Sequence, residues 1–220
     1  MIIKATNRTC FVFDLDDTLY HEIDFLKSAF TFIARDLEPD SHFHLFEEML
    51  YIFKTGGNAF EYVINRFPDK NLRVDTLLDT YRSHIPQISL KEGVLKMLIS
   101  IKEKSGRTGI ITNGRKITQH NKIKALGLDK LIDEIIISEE FGVGKPDEAV
   151  YKYFQKNDSQ GQFYYFGDNF KIDFLAPKKL HWCCIGVLDD GNIHMPDMTI
   201  FSQEYVPHLF IREFTEIEII

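Results

Sequence analysis

Three carboxylates and a threonine follow directly on an apolar run in Phe11-Val12-Phe13-Asp14-Leu15-Asp16-Asp17-Thr18-Leu19-Tyr20. Like charges crowded at the end of a buried segment repel unless a cation or a reaction uses them. Further acids stand in Gly167-Asp168-Asn169, with Asp173 close behind. Carboxylates gathered with few other donors suit a hard divalent cation, and an all-oxygen set favours Mg2+. Such a cation, with the Lys145 ammonium, the Thr112 hydroxyl and the backbone N–H groups of Asn113 and Gly114, would hold a dianionic phosphate. Asp14 is then placed to attack phosphorus as a covalent nucleophile. Asp16, two residues on, would protonate the leaving oxygen and later take a proton from water. Alternation turns Asp17 away, as a turn acid with no catalytic part. Singly, a turn acid, a solvated lysine and a Gly-Asp-Asn turn are ordinary; together they point to a site.

The elements that must position these residues are legible in the apolar pattern. Cys10–Asp14 reads as a buried strand, and the next comparable one is Arg107–Thr112. Between them, from Ile23 to Ile85, apolar residues recur at three and four, which predicts three or four short helices broken at Pro39-Asp40-Ser41, Thr55-Gly56-Gly57-Asn58 and Pro68-Asp69-Lys70-Asn71. After Ile85-Pro86 strand and helix alternate, the pattern of a parallel sheet with right-handed crossovers. Helices are expected over 91–104, 115–126, 147–155 and 170–179, and strands over 134–138, 162–166 and 181–187. Pro177 should bend or end its helix. Each chemistry-bearing residue falls just past the C-terminal end of a strand, the edge where open parallel sheets bind ligands.

Asp14-Leu15-Asp16-Asp17-Thr18-Leu19, Ile111-Thr112-Asn113-Gly114, Gly144-Lys145-Pro146 and Gly167-Asp168-Asn169 with Asp173 closely resemble the four ordered motifs of the haloacid dehalogenase-like hydrolase superfamily. The resemblance covers nearly the whole chain. It implies an α/β fold: a Rossmann-like parallel-sheet core, residues 1–20 and 88–220, with a small helical cap, residues 21–87, inserted after the first strand. It implies Asp14 as nucleophile and Asp16 as general acid and base, with Thr112 and Lys145 on phosphoryl oxygens. Mg2+ would be held by Asp14, the backbone carbonyl of Asp16 and Asp168, supported by Asn169 and Asp173. Asp16 is the acid that phosphatases need and haloacid dehalogenases lack. The implied activity is hydrolysis of a small phosphorylated metabolite through an aspartyl-phosphate, in a branch similar to nucleotidases and acylneuraminate phosphatases. A phosphomutase using the same two acids, or a non-catalytic phosphometabolite-binding or interaction module, is the alternative.

The rest of the sequence narrows partners. A formal charge of −7 over 220 residues, without a long basic block, argues against a nucleic-acid polymer or an anionic membrane surface. No segment approaches a membrane span, and Met1–Arg8 lacks the apolar stretch of a secretory signal, so the cytoplasm is the expected compartment. Cys10, Cys183 and Cys184 read as reduced core residues, as does Trp182. The cap aromatics Phe43, Phe46, Tyr51, Phe53 and Phe60 read as packing. His42, His44 and His181 read as surface or packing residues, while His21, in the hinge, and the Gly56-Gly57-Asn58 turn are candidates for substrate contact. Oligomeric state is open, as is the role of the tail 189–220.

Overall fold

The chain opens with two strands, Ile2–Ile3 (β1) and Thr9–Phe13 (β2), of which the second is buried throughout. The computed structural model describes residues 1–156, 158, 160–188 and 201–220. Four helices follow: Glu22–Leu37 (α1), His42–Lys54 (α2), Ala59–Arg66 (α3) and Val74–Ser83 (α4). Then come Val94–Glu103 (α5), Arg107–Thr112 (β3), Lys116–Ala125 (α6), Glu134–Ile137 (β4), Ser138–Phe141 (α7) and Glu148–Gln155 (α8). The chain continues through Gln162–Gly167 (β5), Leu175–Lys179 (α9), Cys183–Val187 (β6), Leu209–Ile211 (β7) and Glu218–Ile219 (β8).

Six strands form one parallel sheet in the order β4-β3-β2-β5-β6-β7. Alternation along β2 divides the interior. Phe11 and Phe13 join Leu98, Ile101 and Ile123 on one face, while Cys10 and Val12 join Tyr151, Phe154 and Trp182 on the other. Helices therefore cover both faces of an open α/β sheet. From β2 the chain winds outward to β3 and β4, then returns to β5 on the opposite side of β2. The C-terminal ends of β2 and β5 thus flank the topological switch point, where such sheets bind ligands.

Helices α1–α4 carry a hydrophobic cluster of their own, with Phe30, Ile33, Leu45, Met49, Val63 and Leu77 at its centre. The segments entering and leaving this block are tied together at the core. Lys91 donates its backbone N–H to the Leu19 carbonyl at 2.9 Å and its Nζ to the Asp17 carbonyl at 2.6 Å.

Several expectations need correction. The helix expected over 170–179 is only Leu175–Lys179, so Pro177 falls in its first turn, where a missing N–H breaks no helical bond. Phe170 and Phe174 are instead core residues of the turns before it. The strand expected from 181 begins at Cys183, because His181 holds φ 61, outside the extended region. Among the cap aromatics, Phe46, Phe53 and Phe60 pack against the helical cluster, but Phe43 and Tyr51 are both 67% exposed. The described part of the tail places β7 on the edge of the main sheet and pairs β8 with β1 in a small separate sheet; residues 189–200 lie outside the described residues. Among the described residues no helix is long and apolar enough to cross a membrane.

Candidate active site

Asp14 leaves the end of β2 with its backbone N–H donated to the Phe166 carbonyl of β5 at 2.8 Å, which holds the two strand ends together. Its carboxylate takes a hydrogen bond from the Lys145 ammonium, and the same Nζ lies 2.7 Å from Asp173 Oδ1. Carboxylate oxygens of Asp14, Asp168 and Asp173 can all lie within 4.8 Å of one another, and all three residues are buried. Thr18 donates its hydroxyl to Asp168 at 3.3 Å. The Tyr165 hydroxyl and the Asn169 N–H each donate to Asp173 at 2.9 Å, so Asp173 is fixed by three donors.

These surroundings move the acids. Burial pushes the Asp14 carboxyl up to about 7, against the pull of Lys145. Burial, then the charges of Asp14 and Asp173, pushes Asp168 up to about 9. Burial opposes the charge on Lys145, yet Asp14 and Asp173 hold its ammonium above the ordinary lysine range. Three acids against one lysine form a site short of positive charge, and hard oxygen donors in this number suit Mg2+.

Lys145 is held as carefully as the acids. The Asn113 side chain accepts from the Lys145 backbone N–H and donates to the Lys145 carbonyl, both at 2.8 Å. Gly144 allows that approach, since a Cβ there would stand 2.4 Å from Asn113 Oδ1. The Gly114 N–H, expected to face a phosphate, instead donates to Ser138 Oγ at 2.9 Å.

The Asp16 carboxylate lies outside the acid cluster and is gripped from another direction. Lys122 Nζ is 2.6 Å from Oδ1, the Tyr20 hydroxyl also donates to Oδ1, and Gln119 Nε2 donates to Oδ2 at 2.8 Å. Burial works against this charge, but Lys122, then Tyr20 and Gln119, hold it below the usual carboxylate range. Asp17 turns away as expected: at φ 57 its side chain accepts from the Glu22 N–H at 2.8 Å, at the start of α1. His21 precedes α1, and Asn58 accepts from the N–H groups of Phe60 and Glu61 to start α3, with Gly56 and Gly57 exposed beside it.

Sequence reasoning missed Gln119, Lys122 and Tyr20. The readable signal was on α6, where Gln119 and Lys122 stand three apart on the face that also buries Ile123. A polar pair on a helix's inward face needs a partner inside.

The family model for haloacid dehalogenase-like hydrolases matches residues 11–187. The chain belongs to that family. A glyceraldehyde 3-phosphate phosphatase of Methanocaldococcus jannaschii is 29% identical over 204 residues, 84% of this chain and 87% of that protein. The pyrimidine 5'-nucleotidase YjjG of Escherichia coli is 31% identical over 87 residues, 38% of each chain. Among solved structures, the hydrolase YfnB of Bacillus subtilis, bound to magnesium, shares the fold at a TM-score of 0.62, covering 94% of this chain and 96% of that one at 20% identity. This chain is accordingly an enzyme, a hydrolase on the phosphatase side of the family.

Proposed function

We propose that this hydrolase cleaves a small phosphorylated metabolite through a phospho-aspartate at Asp14, with Mg2+ as cofactor. The observation that carries the reading is the buried meeting of Asp14, Asp168 and Asp173 around Lys145 at the switch point of the sheet. Asp14, Asp168 and the backbone carbonyl of Asp16 would hold Mg2+, with Asn169 and Asp173 in support; when bound, the cation offsets the charge of the carboxylates and phosphoryl oxygens.

In the first half, Asp14 forms a bond to phosphorus as the ester P–O bond breaks, and the leaving oxygen takes the Asp16 proton. In the second, a water gives its proton to Asp16 while its oxygen bonds to phosphorus, and the Asp14–P bond breaks. Lys122, Tyr20 and Gln119 hold the Asp16 carboxyl below the usual carboxylate range, which favours the ionised form the second half needs. A dianionic phosphoryl group arriving beside it is a like charge and favours its protonated form. Thr112 and Lys145 hold phosphoryl oxygens, as does the backbone at Asn113; Gly114 would join them only by releasing Ser138. Helices α1–α4 form the cap, residues 21–87, which excludes bulk water during the reaction, with His21 and the Gly56-Gly57-Asn58 turn as substrate contacts.

The relatives make a triose phosphate the first substrate to try and a nucleoside monophosphate the second. The free cysteines suit a reducing cytoplasm. The test is a panel of phosphate esters assayed with and without Mg2+. Asp14→Asn is expected to lower turnover by at least about 10³-fold while folding normally, on the scale of losing a covalent nucleophile. Normal turnover by folded Asp14→Asn would overturn the covalent mechanism.

A further inference from the structure

We propose that Gln119 is a positioning residue that locks the phosphate-binding hydroxyl and the proton shuttle into one unit, with Lys122 as the cation that anchors the shuttle. Gln119 is 1% exposed, and its amide nitrogen donates both to Asp16 Oδ2 and to Thr112 Oγ1. An amide nitrogen carries two hydrogens, so both are spent on these oxygens. The Thr112 oxygen already accepts from Gln119, which leaves its own hydrogen for another acceptor. In the function proposed above, that acceptor is a phosphoryl oxygen.

The backbone beside Thr112 is part of the same arrangement. A Cβ on Gly114 would stand 3.1 Å from Gln119 Cγ and Cδ, so the Gln119 side chain lies flat against the phosphate-motif backbone. One turn along α6, Lys122 reaches Asp16 Oδ1 at 2.6 Å, and its ammonium sits 4.4 Å from the centre of the Phe25 ring in the first cap helix. Asp16 is thus gripped at both oxygens from one helix face, one grip shared with Thr112. A carboxyl held at both oxygens keeps a single orientation, which a proton shuttle needs to within a fraction of an ångström. Neither Gln119 nor Lys122 is assigned a step of bond making; they act through Asp16 and Thr112.

This inference rests on the role proposed for Asp16, and leaving-group dependence separates the two. An alkyl phosphate needs a proton on its leaving oxygen; an activated aryl phosphate does not. For Lys122→Met, kcat/KM on the alkyl ester is expected to fall about 10²-fold with the aryl ester changed only a few-fold, the signature of a disturbed general acid. For Gln119→Leu the aryl ester is expected to lose about tenfold through Thr112 and the alkyl ester about 10³-fold, so that the ratio between the esters shifts by about the same 10²-fold. Inhibition by inorganic phosphate should weaken about tenfold in Gln119→Leu, which loses the bond to Thr112, and stay unchanged in Lys122→Met, on the scale of one hydrogen bond. Lys122→Arg should recover part of the alkyl activity. Equal losses on the two esters in folded variants, or unchanged phosphate inhibition in Gln119→Leu, would overturn the proposal. If Gln119→Leu fails to fold, Gln119→Met is read in its place. If Asp16→Asn itself shows no leaving-group dependence, the role of Asp16 fails; if Asp16→Asn shows it and the Gln119 and Lys122 variants do not, only this inference fails.

Discussion

At the residue scale, what distinguishes the acids is which cation each one owns. Lys145 is shared between Asp14 and Asp173 and Lys122 belongs to Asp16, whereas Asp168 takes a hydrogen bond from the neutral Thr18 hydroxyl, and burial, then the charges of Asp14 and Asp173, push it furthest up. This has a consequence for pH. Burial holds Asp14 at about 7 and Asp168 at about 9, whereas both would ionise near about 3.9 in the unfolded chain. Between these limits the folded, metal-free protein binds more protons than the unfolded chain, so its stability falls as pH rises through that window. In the function proposed above Mg2+ would compete with the same protons, so its binding would strengthen as pH rises. The increase in Tm produced by a fixed Mg2+ concentration is expected to grow between about pH 6 and about pH 9. Calorimetry showing the same increase at both ends would contradict this assignment of the protons. Residue types and spacing alone singled out Asp14 and Lys145, which the structure brings into contact. The partners of Asp16 were not, because Gln119 and Lys122 are more than a hundred residues away along the chain.

At the element scale, Asp17 sets the junction between the sheet and the inserted helices α1–α4. Its left-handed φ turns the chain, and its side chain satisfies the first N–H of α1, so one residue both ends the loop that carries Asp14 and Asp16 and starts the insertion. Asparagine tolerates both demands, since it has the same oxygen and visits the left-handed region readily; alanine meets neither. Asp17→Ala is expected to cost about 1–2 kcal/mol and Asp17→Asn much less, read from denaturant midpoints. Equal losses would remove the capping argument. The alternation rule correctly turned Asp17 away from the acids but could not give it this task, because a cap is defined by the helix that follows. The short α9 teaches the same point. Phe170 and Phe174 looked like a helical face, yet each is buried against the second core cluster from a turn, and tertiary packing overrode the local period.

At the scale of the whole molecule, the two faces of the sheet are locked to their helices by close contacts. Gly109 in β3 lies under the Phe154 ring of α8, where a Cβ would stand 2.2 Å from the ring edge. Gly109→Ala should therefore destabilise by about 1–3 kcal/mol through overpacking, and Phe154→Leu in the same chain should relieve part of that cost. Strictly additive losses in a double-mutant cycle of urea midpoints would refute the contact's role. The sequence by itself determined the alternation of strand and helix, the helical insertion after β2, and the placing of Asp14 and Asp168 just past strand ends with Thr112 closing β3, because periodicity and turn chemistry are local; Lys145 stands one short helix, α7, beyond the end of β4. Only the tertiary structure decided that β2 and β5 are neighbours, that Asp173 shares a lysine with Asp14, that Ser138 takes the Gly114 N–H, and that Gln119 joins Asp16 to Thr112. Those are meetings of distant segments, and a pairing across a fold is selected by the packing of all its elements at once, which no window of sequence contains.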